Sequence, residues 1–249
     1  VSYDMQSSVA GVADELVDYT YLTVDGFLEH PMGTGSLTVE GAYVLSPGRD
    51  RVAFLGGVPG GSRSLMVASL PSFEPLNLPR QPAVDAADES PLWSPDGRWI
   101  AYGATSIPAA SEERAYTLIA DSTGREETRV FPGLLPEAWS PDGLMLAAYG
   151  CTGESCRLSL VDALSGETSD LASSDELRLL DVAWSPGGPY LTYSLTGSDP
   201  ARTGLILWER ATGKSQRLLK GAASEAVTDV QWTGDGCTIY AARRKLGAD

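Results

Sequence analysis

Five carboxylates recur along the chain, each a few residues ahead of one copy of a short repeated turn: Glu40, Glu89, Glu137, Asp181 and Asp229. If the strands that they precede begin on one face around a common axis, the five would form an acidic ring at the mouth of a central channel. Such an oxygen-rich ring could bind a hard cation such as Ca²⁺, or an Arg or Lys side chain of a partner. Their offsets from the turn vary from two to five residues, and side chains alternate between the two faces of a strand, so some of the five would point away from the axis. The alternative is that they are ordinary polar residues at the starts of the strands.

Catalysis is the second chemistry that carboxylates could perform. A glycoside hydrolase needs an acid and a base or nucleophile about 5 to 9 Å apart, and Asp181 and Asp229 share one offset from their turns. His30 is the single histidine, which excludes a multi-histidine metal site, and the sequence holds no Gly-x-Ser-x-Gly elbow and no phosphate-binding glycine loop. We therefore expect no enzyme activity and no cofactor beyond a channel Ca²⁺, with glycoside hydrolysis as the alternative.

The cysteines point to a compartment. Cys151 and Cys156 bracket four residues at which one predicted strand turns into the next, so a hairpin would bring them face to face as a disulfide. A zinc site would need two further ligands, and no partner pair exists. Since disulfides persist outside the cytoplasm, we expect an extracytoplasmic protein, whether periplasmic, cell-surface or secreted. Cys237 begins an apolar strand and is expected to be a small buried hydrophobe.

The charge of the chain limits its partners. A net charge of −15 disfavours nucleic acid and anionic lipid, because both require clustered Lys and Arg. A protein or a cationic peptide would be compatible, although the acidity could serve solubility alone. No run of 18 apolar residues occurs, so we expect no membrane span within the chain. Because the chain begins at Val1, we expect a leader, a membrane anchor or another domain upstream.

A repeated turn must position these residues. The sequence Trp93-Ser94-Pro95-Asp96-Gly97 recurs unchanged at Trp139–Gly143. It recurs with one change at Trp184–Gly188, with two changes at Trp232–Gly236, and as a degenerate first copy at Leu45–Gly48. The steps between copies are 48, 46, 45 and 48 residues, a period typical of radially repeated β structure. Pro presets φ and Gly accepts positive φ, while Asp96, Asp142 and Asp235 are expected to bond the backbone two residues on.

The residues around each turn predict four strands per repeat. Each Trp ends an inner strand, and we expect it to pack against the neighbouring repeat. An aromatic follows each turn at a steady offset and is expected in the core: Phe54, Tyr102, Tyr149, Tyr193 and Tyr240. A third strand, a polar turn and a shorter fourth strand come next. Four antiparallel strands joined by short turns form the blade of a β-propeller.

These residues resemble the PD40, or TolB-like, propeller repeat, which is related to WD40 repeats. Its hallmark is the Trp-Ser-Pro-Asp-Gly turn followed by a short strand, and the resemblance covers residues 42–243. It implies an all-β propeller of the non-catalytic group. TolB also carries an N-terminal α/β domain that nothing here matches, so its role in the cell envelope is not carried over.

The repeats predict a five-bladed β-propeller of four-stranded antiparallel blades. A tail would span residues 1–13 and the propeller 14–249, with blades at about 41–80, 88–132, 136–172, 179–220 and 227–244. The last blade would be a C-terminal half-blade completed by residues 14–40, because the run Val17–Val24 lies in the register of a third strand. Its fourth strand would be Phe27–His30 or Ser36–Val39, and the sequence does not choose between them.

The expected function is a protein-interaction or sensing module. Long segments between strands would form its contact surface, since binding sites concentrate on loops. These segments are Asp85–Ser90, Ser106–Arg114, Ser173–Glu176 and Ser198–Arg202.

Overall fold

The structure is a computed structural model, and it describes residues 23–32, 35–45, 48, 50–56, 64–70, 74–76, 85–86, 91–106, 115–125, 128–152, 155–175, 178–197, 203–221 and 225–245. Every strand among these residues pairs antiparallel, and none of the residues lies in a helix. The all-β class is confirmed. The described part of the chain accordingly has no helix with the length and apolar character that crossing a bilayer requires.

The strands form five successive sheets. The first holds β1 (Thr23–Met32), β2 (Gly35–Leu45), β3 (Arg51–Gly56), β4 (Ser64–Ser69) and β5 (Glu74–Leu76). The second holds β6 (Asp85–Ala86), β7 (Leu92–Trp93), β8 (Trp99–Ser106), β9 (Tyr116–Asp121) and β10 (Arg129–Pro132). The third holds β11 (Leu135–Trp139), β12 (Met145–Thr152), β13 (Ser155–Asp162) and β14 (Thr168–Asp175). The fourth holds β15 (Arg178–Trp184), β16 (Tyr190–Thr196), β17 (Gly204–Glu209) and β18 (Lys214–Lys220), and the fifth holds β19 (Glu225–Trp232) and β20 (Ile239–Lys245). The third and fourth sheets are four-stranded meanders in chain order, as the repeats predict.

The repeated turn closes through its own polar side chains. Ser94 Oγ donates to Asp96 Oδ1 at 2.6 Å, and the same carboxylate oxygen accepts the N–H of Arg98 at 3.0 Å. Ser94 Oγ also accepts the N–H of Trp99 at 2.8 Å, while Gly97 takes a φ of 70°. The corresponding bonds recur in the turns that contain Asp142 and Asp235. The predicted role of these three aspartates is therefore confirmed.

The tryptophans tie each sheet to the one before it. In three of the four repeat tryptophans the indole N–H donates to the carbonyl of the residue that precedes the Trp of the previous repeat: Trp139 to Leu92 at 3.0 Å, Trp184 to Ala138 at 3.3 Å, and Trp232 to Ala183 at 3.2 Å. Successive turns also pack closely, since a Cβ at Gly143 would lie 3.2 Å from Asp96 Oδ1. The predicted packing of Trp between repeats is confirmed, and the hydrogen bonds orient the indole rings toward the previous sheet.

The core lies between the sheets. One buried cluster joins the second and third sheets and includes Ile119 and Leu146, and another joins the third and fourth sheets and includes Leu158 and Leu191. A smaller cluster, with Leu205 and Val227, joins the fourth and fifth sheets. Each sheet therefore buries its apolar faces against its neighbours in the manner of propeller blades.

Four of the five predicted core aromatics lie inside. Phe54, Tyr102 and Tyr193 are buried and Tyr149 is half-buried, but Tyr240 is 64% exposed. The prediction for Tyr240 is wrong, and so is that for Cys237, which is an exposed free cysteine. Cys237 precedes β20 and Tyr240 lies in it, and among the described residues their sheet has two strands, so no described strand covers the free side of β20.

The predicted joining of the chain ends is not seen among the described strands. β1 pairs with β2 along its whole length, and β2 pairs with β3, so both belong to the first sheet. β19 and β20 form a sheet of their own. Residues 27–30 and 36–39, the two candidates for the fourth strand of a shared blade, thus lie in β1 and β2 of the first sheet. A short hairpin connection favours this local pairing, because a two-residue separation costs less closure entropy than a contact between the chain ends.

Candidate interaction surface

Each sheet has two ends of different character, and the third sheet shows both. Its repeated turn and its polar turn at 163–167 lie at one end, which we call the turn edge. The hairpin between β12 and β13 lies at the other end. We call the group of side chains near that hairpin the rim, which consists of Glu137, Tyr149, Cys151, Cys156 and Arg178.

A disulfide closes the rim hairpin. Cys151 and Cys156 are register partners across β12 and β13, and their sulfur atoms are 2.00 Å apart. The predicted disulfide is therefore present. Its two halves differ in environment, because Cys151 is exposed and Cys156 is only 6% exposed.

Tyr149 connects the third and fourth sheets at the rim. Its hydroxyl lies 3.3 Å from Cys151 Sγ and accepts a hydrogen bond from the backbone N–H of Leu179 in β15. Burial raises the pKa of Tyr149, the Leu179 bond and the positive charge of Arg178 oppose this, and the negative charge of Glu137 adds to it. The phenol is thus protonated at neutral pH and fixed by partners on both sides.

Charged side chains of both signs surround this phenol. Glu137 lies in β11 at a register shift between Pro136 and Ala138, and both Glu137 and Arg178 are exposed. A β-bulge re-aims the side chains beside it and is frequent next to functional sites. The rim therefore offers an anchored aromatic ring between an exposed carboxylate and an exposed guanidinium.

Asp181, one of the five predicted ring carboxylates, makes a structural contact. Its Oδ1 accepts the N–H of Val182 at 2.8 Å, and its Oδ2 accepts the N–H of Val230 at 2.7 Å. Val230 belongs to β19, so this carboxylate links the fourth sheet to the fifth. Sequence reasoning missed this link, because its two partners are 49 residues apart.

Asp229 has the same offset from its Trp but a different environment. It is exposed, takes a left-handed φ of 55°, and accepts hydrogen bonds from Thr228 Oγ1 at 2.9 Å and from Arg244 at 2.8 Å. The Thr228 bond, together with the charge and hydrogen bond of Arg244, lowers the pKa of Asp229 against a smaller desolvation effect. A carboxyl group with a lowered pKa is poorly suited to the general-acid role of a glycosidase, which requires a raised one.

The remaining predicted site residues are described only in part. Glu40 lies in β2, His30 lies in β1, and Glu89 lies outside the described residues. Among the described residues, no three His, Cys, Asp or Glu side chains come together in a way that could hold a metal ion. The acidic ring stays a prediction.

The predicted contact loops also stay a prediction. Asp85 and Ala86 form β6, Ser106 ends β8, and residues 173–175 end β14. Residues 87–90, 107–114, 176 and 198–202 lie outside the described residues.

The turn edge carries charge pairs that join sheets. Arg210 of the fourth sheet contacts Asp142 of the third at 2.5 Å. Burial raises the pKa of Asp142, but hydrogen bonds from Ser140, Arg210 and Leu144 and the charge of Arg210 outweigh it and lower the pKa overall. These groups stabilise the stacking of the turns.

Comparison with known proteins places this architecture. No protein-family model and no curated protein matches the sequence. Among solved structures, a putative TolB from Agrobacterium tumefaciens matches with a TM-score of 0.54 and 18% identity, over 82% of this chain and 69% of that one. The chain has the fold of TolB-like and WD40-like β-propellers.

Two further structures support the same fold. An oligogalacturonate lyase from Vibrio parahaemolyticus matches with a TM-score of 0.55 and 13% identity, over 92% of this chain and 68% of that one. The Cps50 (Swd1) β-propeller domain from Myceliophteria thermophila matches with a TM-score of 0.50 and 13% identity, over 80% of this chain and 60% of that one. The predicted PD40 or TolB-like resemblance is therefore confirmed as a fold, and at these identities the likeness carries no information on activity.

Proposed function

We propose that this chain is a non-catalytic, extracytoplasmic propeller that serves as a protein-interaction or sensing module, with the rim as part of its contact surface. One observation carries the proposal: Tyr149 is held by Leu179 and Cys151 and stands among the exposed charges of Glu137 and Arg178. Tyr and Arg are enriched at binding hot spots. A ring that is already fixed also loses little entropy on association.

The partner that we propose is a protein or peptide with a cationic segment. The chain carries a net charge of −15, and Glu137 and Asp229 are exposed carboxylates on the inner strands of the third and fifth sheets. Complementary charge would speed the encounter and make binding sensitive to salt. The disulfide is compatible with the extracytoplasmic location.

Several features support a non-catalytic role over glycoside hydrolysis. Both oxygens of Asp181 accept backbone N–H groups, and Asp229 is paired with Arg244 and has a lowered pKa. The lowered pKa of Asp229 does not suit the protonation of a leaving group. Glycoside hydrolysis stays the second candidate because carboxylates recur ahead of the repeated turns, and a screen of chromogenic glycosides with the wild type and Asp181→Asn tests it.

For the complete architecture we propose five blades, with the fifth sheet completed by residues N-terminal to β1, since β1 and β2 belong to the first sheet. The five turn repeats support the blade number. Within the described part of the chain the fifth sheet has two strands where the third and fourth have four. It can therefore accept further strands, and an added strand would pair with the edge of β20 that no described strand covers. Hydrogen exchange tests this: the amides of β20 would be protected like those of β16, whereas fast exchange throughout β20 would contradict closure.

Binding of a defined probe tests the rim. We would measure fluorescence anisotropy of a labelled Lys-rich peptide and of its Glu-rich counterpart at low and physiological salt. Only the cationic peptide should bind, and Glu137→Lys should weaken it by about threefold to tenfold, because an attraction becomes a repulsion. Glu167→Lys is the matched control, since Glu167 is an exposed glutamate on the turn edge of the same sheet. Equal affinity of the two variants would refute the assignment of the rim.

A further inference from the structure

The rim disulfide differs from a buried structural bridge in its exposure. Cys151 is exposed at the end of β12, and its partner Cys156 is buried beneath the neighbouring strands. A thiolate can therefore approach Cys151 Sγ from solvent, and it cannot reach Cys156 Sγ in the same way. Exposed disulfides are the labile ones in thiol–disulfide exchange, and the site of attack follows access.

The surroundings of Cys151 favour a sulfur that carries negative charge. A disulfide sulfur has no proton, so in the contact of 3.3 Å it is the Tyr149 O–H that donates to Cys151 Sγ. The N–H of Leu179 bonds the same phenol oxygen, which leaves the phenol proton directed to the sulfur. Arg178 and Glu137 place charges of opposite sign near the phenol, so the O–H donor carries the argument. A hydrogen-bond donor of this kind stabilises a thiolate.

We propose that Cys151–Cys156 is a site of reversible thiol–disulfide exchange in which Cys151 is the reacting sulfur and the co-reactant is a dithiol reductant. A thiolate of the reductant attacks Cys151 Sγ, a mixed disulfide forms, and Cys156 leaves and takes up a proton. The second thiol of the reductant then attacks its own sulfur and releases Cys151 as a thiolate bonded to Tyr149. Two electrons and one proton pass to the protein, the other proton of the dithiol goes to solvent, and the reductant becomes a disulfide.

The exchange would regulate the rim, and this consequence rests on the proposed function. Opening the bridge removes the covalent tie between β12 and β13 beside the phenol that contacts the fourth sheet. The Cys151 thiolate keeps its bond to Tyr149 but is no longer tied to β13, so the ring is held less firmly and a partner that uses it binds more weakly after reduction. The chemistry itself requires no partner.

Native-state reduction tests the site. The protein would be treated with dithiothreitol without denaturant, alkylated for short times and analysed by peptide mass spectrometry, with circular dichroism recording the fold. The bridge should open while the spectrum is unchanged, and Cys151 should be alkylated about tenfold faster than Cys156 because of its exposure and thiolate character. Exposed Cys237 serves as an internal reference for a thiol in solvent.

A conservative pair of variants isolates the role of the phenol. Tyr149→Phe should slow the alkylation of Cys151 by about threefold to tenfold, since one pKa unit of thiolate stabilisation is a factor of ten. Tyr193→Phe, at the aligned position of the fourth sheet, should leave the rate unchanged. Opening of the bridge only at the rate of global unfolding, faster labelling of Cys156, or equal rates in the two variants would overturn the proposal. None of these results depends on the cationic probe, so they leave the proposed function to its own test.

Discussion

Replacing Trp139 with phenylalanine tests whether the indole N–H groups hold neighbouring sheets together. Trp139 is 6% exposed, and its Nε1 donates to the carbonyl of Leu92 at 3.0 Å. Phenylalanine keeps an aromatic ring in place but removes this donor. The carbonyl of Leu92 in the second sheet then loses its bond to the third.

The expected loss of stability in Trp139→Phe is the sum of two contributions. Leaving a buried acceptor without its partner costs about 1 to 3 kcal/mol, and the smaller ring loses about 1 kcal/mol of buried apolar contact. The free energy of unfolding should therefore fall by about 2 to 4 kcal/mol. For a domain of this size the midpoint of thermal unfolding should fall by about 5 to 15 °C.

The matched control is Trp208→Phe. Trp208 is 8% exposed and packs edge-to-face on Trp184, but its indole nitrogen has no hydrogen-bond partner among the described residues. The control should cost about 1 kcal/mol, the packing share alone. Urea unfolding followed by far-ultraviolet circular dichroism measures both variants. Equal losses of stability in the two variants would refute the view that the indole hydrogen bond joins the sheets.

Three further outcomes follow from the same geometry. Asp142 has a lowered pKa, so its contribution to stability is present above the unfolded pKa and is lost as the pH falls through the folded pKa. Asp142→Asn should therefore flatten the pH dependence of the melting midpoint below about pH 4. An unchanged pH dependence in this acid range would contradict the role of Arg210. Asp181→Ala should cost about 1 to 3 kcal/mol of unfolding free energy, because the N–H of Val230, a residue that is 5% exposed, loses its acceptor. Glu137→Ala, the control at an exposed site, should change the unfolding free energy by about 0.5 kcal/mol or less. Equal effects of the two substitutions would contradict the assignment of Asp181 as a link between the fourth and fifth sheets. If the acidic ring binds Ca²⁺, the melting midpoint rises with Ca²⁺ concentration, and a constant midpoint in a calorimetric titration would eliminate the ring as a metal site.

The local features of the fold were predictable from the sequence because neighbouring residues determine them. Ser94, Asp96 and Gly97 close their turn through bonds that span at most five residues, and the spacing of polar atoms in such a turn follows from residue type. The cross-strand pairing of Cys151 with Cys156 was predictable for the same reason. Each prediction needed only a hairpin, and the repeat supplied it.

Features that depend on the next sheet were not predictable. Asp181 and Asp229 have equal offsets from their Trp, yet Asp181 bonds the backbone of a following sheet whereas Asp229 pairs with Arg244 of its own. Tyr240 is likewise exposed within the described part of the structure, whereas its aligned residue Tyr193 is covered by neighbours. A periodic sequence gives every repeat the same expectation, and only the arrangement of sheets tells which repeat has a neighbour to contact.

The repeat itself indicates which end of the sheets is available for function. Residues of the turn edge are constrained from both sides, since Gly143 lies against Asp96 of one neighbouring turn and Gly188 against Pro141 of another. A change there disturbs two sheets at once. The rim has no such shared motif: the disulfide occurs in the third sheet alone among those described, and Tyr149 stands beside charges that the other repeats do not copy. Because a binding site needs residues that differ from the scaffold around it, these constraints support our proposal that recognition uses the rim and not the turn edge.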